Sequence, residues 1–152
     1  MRKKLCLLLA AACGMALLAG CSGEAQNQET DKKEWTTMKM SVQIGDQIFT
    51  ATLADTKAAR EFARMLPITI TMNDYGGFEK VGSLGRSLTA SNSQITTTAG
   101  DIVLYNGNNI VIFYGSNSWS YTRLGRIDDL TGWTDALGHG SVSVTFRLAG
   151  DR

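Results

Sequence analysis

Two stretches of this 152-residue chain combine residue types and spacings that could do chemistry. The first is NDYGGFEKVGSLGRSL, Asn73 to Leu88, with four glycines, two aromatics, two acids and two bases. A glycine-rich run can cradle phosphate, but that use needs a G-x-x-x-x-G-K-[ST] order at a helix start, and Lys80 sits in the middle of the run. Gly76-Gly77 and Gly82 with Gly85 fit barrel corners instead, where glycine supplies a positive φ or a close backbone approach. A second reading keeps the corners and makes Tyr75, Glu79 and Arg86 the rim of a ligand site. The other stretch is WSYTRLGR, Trp119 to Arg126. An extended backbone puts Trp119, Tyr121 and Arg123 on one face. Aromatic rings beside Arg123 and Arg126 suit a groove for an anionic or peptide ligand, and Tyr114 and Tyr75 can join it. The plainer reading is wall packing, with the arginine stem lying along an aromatic surface.

No complete catalytic set accompanies these stretches. His139, the single histidine, stands between Gly138 and Gly140 and reads as a loop residue. Asp128-Asp129 is one acidic pair, accounted for by the first turn of a short helix. No nucleophile-elbow pattern supports a Ser-His-acid triad. The sequence therefore names no catalytic residue, no metal ligand and no cofactor.

The elements that must position these residues are legible from periodicity. MKMSVQI-GD-QIFTATL, from Met38, alternates on either side of Gly45-Asp46, a two-residue hairpin signal. With Ile44 opposite Gln47, the residues Val42, Phe49, Met40, Ala51, Met38 and Leu53 share one face. In DTKAAREFARMLP, Asp55 or Thr56 can cap a helix whose apolar side is Ala59, Phe62, Ala63 and Leu66. Pro67 ends it, because the residue before proline is pushed out of the helical region. ITITM resumes as a strand. GDIVLYNGNNIVIFYGS reads as a second hairpin around Asn106 to Asn109, with Ile102, Leu104, Val111 and Phe113 on one face and Val103, Tyr105, Ile110 and Ile112 on the other. Strands apolar on both faces belong in the wall of a barrel whose outside is partly covered. Residues 128–137 can hold a helical turn or two, and SVSVTFRL, Ser141 to Leu148, closes the chain as a strand. One helix inserted among many short strands makes a mostly β fold, a small closed antiparallel barrel.

The N-terminus carries an address. Met1-Arg-Lys-Lys4 precedes an apolar run, Leu5 to Leu18, of signal-peptide length and too short to span a bilayer comfortably. Leu18-Ala19-Gly20-Cys21 resembles the bacterial lipobox, which implies cleavage after residue 20 and acylation, palmitate included, of Cys21. Two or more acyl chains suffice for stable anchoring. Of the three cysteines, Cys6 and Cys13 fall in the removed segment, so the folded part keeps no thiol or disulfide. Loss of Arg2, Lys3 and Lys4 leaves twelve bases against fourteen acids, a charge near −2 that gives no drive toward nucleic acid. Residues 21–37, polar and charged, read as a tether; its sixteen residues after Cys21 reach roughly 20–25 Å as a coil. The lipobox implies a cell-envelope membrane lipoprotein, at the outer membrane if the source is Gram-negative, since Ser22 rather than Asp follows the cysteine.

The order PITITMNDYGGFEKVGSLGRSL, AGDIVLYNGNNIVIFYGS, WSYTRLGRIDDL resembles the bacterial cyclophilin-like fold proteins, small single-domain β-barrels distinct from the true prolyl isomerases and often encoded as lipoproteins. The resemblance covers residues 38–149 and is most specific from Asp74 through Arg86 and at Leu124-Gly125-Arg126-Ile127. It implies a fold rather than an activity. Catalysis of X–Pro rotation must lower a barrier of about 18–20 kcal/mol and needs an apolar cup beside a fixed guanidinium. True cyclophilins carry Phe-x-Arg on a barrel strand and a Gly-Gly-Asp-Phe loop. Here Phe62-Ala63-Arg64 falls on the helical pattern, and Gly76-Gly77-Phe78 lacks the acid. The reading is a lipid-anchored binding or accessory module for a peptide, a protein or a small anionic ligand. The alternative is a prolyl isomerase acting on envelope proteins, distinguished by an arginine beside a proline-sized cup.

Overall fold

The computed structural model describes Trp35 and residues 38–150. The leader, Cys21 and the tether up to Glu34 lie outside the described residues.

Strands β1 (Lys39–Ile44) and β2 (Gln47–Leu53) form the first hairpin. Gly45 takes the left-handed φ of 57° that its turn requires, and Ile44 pairs with Gln47, Val42 with Phe49 and Met40 with Ala51, the register the alternation predicts. Helix α1 (Lys57–Ala63) follows. Thr56 is its N-cap, with Oγ1 accepting from the Ala59 amide at 3.0 Å. The helix buries Ala58, Ala59, Phe62 and Ala63 and ends at Arg64, ahead of Pro67. The Phe62-Ala63-Arg64 triplet is therefore helical, as its spacing indicates.

The rest of the chain is β3 (Ile68–Tyr75), β4 (Glu79–Ser83), β5 (Ser93–Thr96), β6 (Asp101–Tyr105), β7 (Asn109–Phe113), β8 (Ser118–Ile127), α2 (Trp133–Leu137) and β9 (Val142–Leu148). The hydrogen-bonded order is β2-β1-β9-β3-β4-β7-β6-β8, and β8 pairs back onto β2, which closes an antiparallel barrel. Strand β5 adds to the outer half of β8. Besides the inserted helix α1, the five-residue α2 occupies the segment where a helical turn is expected.

Alternate residues of the barrel strands point inward, with one interruption at the β8 bulge. Met40, Val42, Phe49, Met72, Ile102, Ile112, Leu124 and Phe146 belong to one buried cluster, joined by Phe62 of α1 and Trp133 of α2. Phe62 meets Phe146 edge-on at 5.5 Å and Phe49 meets Trp133 at 5.0 Å. The Trp133 indole N–H donates to the Phe113 carbonyl at 2.8 Å, which ties α2 to the wall.

Four particulars differ from the sequence reading. The β6–β7 loop has three residues, since Tyr105 pairs with Asn109, so the register is one residue from the expected one. Ile102, Leu104, Ile110 and Ile112 face inward, while Val103, Tyr105, Val111 and Phe113 face out; a single-residue slip exchanges all the faces of β7. The glycine-rich stretch is a hairpin, β3 to β4, as well as a corner. Asp128 does not serve a helix start: it accepts from Lys39 Nζ at 2.8 Å and Thr52 Oγ1 at 2.6 Å, five residues before α2 begins. Finally, Trp35, inside the segment read as tether, donates its indole N–H to the Ala54 carbonyl at 2.9 Å and lies under the Arg60 guanidinium.

Candidate functional site

The outer wall of the barrel carries a second apolar cluster of Val103, Val111, Phe113 and Tyr121, with Phe78, Val81, Ile95 and Tyr105 packed against it. On this wall a hollow of about 390 Å³ opens between Tyr75, Glu79, Val81, Tyr105, Val111, Asn117, Trp119 and Tyr121. That volume lies in the range of small-molecule sites.

Local structure explains how each side chain arrives there. Gly76 and Gly77, at φ 65° and 76°, turn β3 into β4 so that Tyr75 pairs directly with Glu79. Antiparallel pairing to β7 then places Glu79 beside Phe113 and Val81 beside Val111. Strand β5, pairing Ser93 with Tyr121 and Ile95 with Trp119, extends the wall at the far side. Tyr105 and Tyr121 meet edge-on at 6.1 Å, and Tyr121 meets Phe113 at 5.7 Å. The Asn117 amide nitrogen donates to the Tyr121 hydroxyl at 2.9 Å, which fixes the ring. Tyr75 and Trp119 are open to solvent at the rim.

Glu79 is the odd member. It is 6% exposed, and its Oε2 is buried without a hydrogen-bond partner among the described residues. Burial alone pushes its carboxyl up to about 7, so near neutral pH it stands between a neutral acid and an unpaired anion. Burial, followed by the Glu79 charge, raises the Tyr121 phenol. A buried, unpaired polar group is costly, and perturbed groups of this kind gather at functional sites.

Of the residues singled out from the sequence, the pocket brings together Tyr75, Glu79, Trp119 and Tyr121 and leaves out four. Tyr114 donates its hydroxyl to Asp74, and its phenol is pushed up to about 12, by burial first and by that bond second. Its ring lies 5.6 Å from Lys80 Nζ. Arg123 and Arg126 both reach Asp101 Oδ1, at 3.4 and 2.7 Å. A bulge causes this: Ile102 pairs with Gly125 and Val103 with Arg123, so Leu124 is extra and the two arginines come onto one side. Arg86 lines a separate surface hollow with Glu61 and Arg64. The sequence reading missed Val81, Tyr105, Val111 and Asn117. The signal for Tyr105 and Val111 was present, two paired strands apolar on both faces, but the expected register set these two residues on opposite faces.

Chemically, the arrangement can enclose a small apolar or flat group and present one carboxyl to it. Among the described residues, Glu79 is the charged group that lines the cup, where amide isomerisation asks for a guanidinium.

Comparison with known proteins concerns the barrel. A family model described as the cyclophilin-like family matches residues 42–147, from within β1 to within β9. The solution structure of a hypothetical protein from Archaeoglobus fulgidus is similar, with a TM-score of 0.53 and 18% identity over 75% of this chain and 96% of that chain. At that identity the likeness concerns the fold alone. A search of curated proteins gives no match.

Proposed function

The chain belongs to the cyclophilin-like family, and from that premise we propose that it is a ligand-binding module of the bacterial cell envelope, anchored through lipid on Cys21, with the outer-wall aromatic pocket as its binding site. The observation that carries the reading is Glu79, a buried carboxyl without a partner, held in a hollow lined by aromatic rings and valines. Leaving it unpaired costs stability, and a bound group that pairs with it removes that cost. The envelope address rests on the basic start, apolar run and Cys21 of the leader.

A thermal-shift screen on the full chain tests the binding claim, with small amines, small anions and proline-containing peptides as the panel. A compound that raises the melting temperature of the wild type, and loses its effect in Trp119→Ala and Tyr75→Ala, supports the pocket. A compound whose effect both variants leave intact places the site elsewhere. The anchor has its own test: Cys21→Ala should release the protein from membranes, and unchanged fractionation sinks that part. Low-temperature prolyl isomerisation above the spontaneous rate, lost in Arg86→Ala, Arg123→Ala or Arg126→Ala, would replace a binding module with an enzyme.

A further inference from the structure

We infer that the pocket takes a methylated organic cation, a quaternary ammonium head of about the size of choline, seated among the aromatic rings with Glu79 as its counter-ion. This deepens the binding reading above and rests on it.

Three observations point to a cation. Tyr75 and Trp119, 67% and 56% exposed, stand at the rim, while Tyr105 and Tyr121 lie beneath them. Ring faces are the negative end of the aromatic quadrupole, and a cage of them attracts a soft cation. Glu79 then supplies the formal charge, with Oε2 lacking any partner. Among the described residues, those that line the hollow with Glu79 bring it no positive charge. Strand β3 brings Tyr75, β7 brings Phe113 with Tyr114 following, β8 brings Tyr121, and the β7–β8 loop brings Asn117. Lys80, the next residue, points into the barrel, where Nζ donates to the carbonyls of Gly138 and Gly140 at 2.9 and 2.8 Å and lies 3.6 Å from Asp74. An anionic ligand would meet an unpaired carboxylate here; a cation is the partner that the carboxylate lacks.

The kind of cation follows from the hydrogen-bond inventory. A primary ammonium brings three donors that each need an acceptor. Apart from the Glu79 carboxylate, the amide at the pocket is Asn117, whose nitrogen donates to Tyr121 and whose oxygen already accepts from the Ser118 amide at 2.9 Å, which leaves it one lone pair to offer. A bare metal ion would need several more oxygen ligands than one carboxylate. A methylated ammonium asks for no hydrogen bond and gains from ring faces and the valine floor. Because a bound cation favours the ionised carboxyl, and Glu79 stands near 7 when empty, occupancy should weaken on acidification through neutrality.

The test is calorimetric titration of the full lipidated protein, in an uncharged maltoside detergent, with choline and with dimethylbutanol, its uncharged carbon isostere. Choline should bind about tenfold more tightly than the isostere near pH 8. Glu79→Gln should shrink the difference to the part that the rings alone supply, and Trp119→Ala, a rim change that leaves the core intact, should weaken choline by about tenfold. Phosphocholine separates a free cation from a phospholipid headgroup: weaker binding than choline indicates the free ion, tighter binding the headgroup. Equal affinity for choline and the isostere would overturn the inference while leaving a binding pocket. If neither binds although another compound of the thermal-shift panel does, the cation class is wrong. A panel without any pocket ligand would defeat the binding reading itself.

Discussion

The two faces of β4 hold consecutive charged residues, both buried, in opposite circumstances. On the inner face Lys80 is fully buried and its Nζ is satisfied by two carbonyls and a nearby carboxylate. It ties the glycine-flanked loop between α2 and β9 to the wall. On the outer face Glu79 is nearly as buried, yet Oε2 has no partner, and the surroundings are rings and valines around an open hollow. Burial by itself does not separate structure from function. The hydrogen-bond inventory does: a satisfied buried charge holds the fold together, whereas an orphaned one at a cavity is a place where something else completes the inventory.

If that contrast is sound, inner-face changes should cost stability and outer-face changes should alter ligand and pH response instead. Lys80→Ala is the largest expected effect, a loss of about 3 kcal/mol in denaturant unfolding, because it strands the Gly138 and Gly140 carbonyls and leaves a cavity. Gly82→Ala, on the same inward face, should cost about 2 kcal/mol. A Cβ there would sit 2.5 Å from the Ile70 Cγ2 and 3.1 Å from the Thr71 carbonyl oxygen, and the wall has to shift. A neutral result for either would break the inner half of the comparison.

The outer face carries a sign reversal. The folded-state pKa of Glu79 is above its unfolded value, 4.5 against about 7, so the folded protein holds more protons through that window. Its contribution is fully present below about pH 4.5 and is lost as pH rises through 7. Glu79→Gln should therefore be more stable than the wild type near pH 8, on the order of 2 kcal/mol, less than the full shift implies because solvent in an open pocket screens the charge. The advantage should vanish near pH 4.5. Unfolding of both proteins across that range checks it; a Gln variant less stable at every pH would mean that the carboxyl is structural. Trp119→Ala is the smallest stability effect, under about 0.5 kcal/mol, since the ring is largely exposed. Ligand affinity is where that variant should show itself.

The same contrast explains what the sequence disclosed. The first hairpin was legible to the residue because Gly45-Asp46 is a two-residue turn and only one face is apolar. The β6–β7 hairpin slipped by one because NGNN admits a three- or a four-residue loop, Asn106 itself adopting φ 50°, and valines and isoleucines on both faces give alternation nothing to choose between. Half of the pocket was legible, since Tyr75, Glu79, Trp119 and Tyr121 stand out by type. Alternation placed Arg123 on the face of Trp119 and Tyr121 correctly, but it could not foresee the extra residue at Leu124 that brings Arg126 beside it, nor that Asp101, remote in sequence, holds both guanidinium groups away from the pocket. That Glu79 lacks a partner could not be read at all, because it depends on what β7 and β8 bring beside it.

The most direct test is methyl and indole NMR of the full chain during a choline titration. Shifts should centre on the Val81 and Val111 methyls and the Trp119 indole, and be much smaller in Glu79→Gln at the same choline concentration. Shifts centred instead on Leu88, in the separate hollow that Arg86 lines, with Val81, Val111 and Trp119 unmoved, would contradict the pocket assignment.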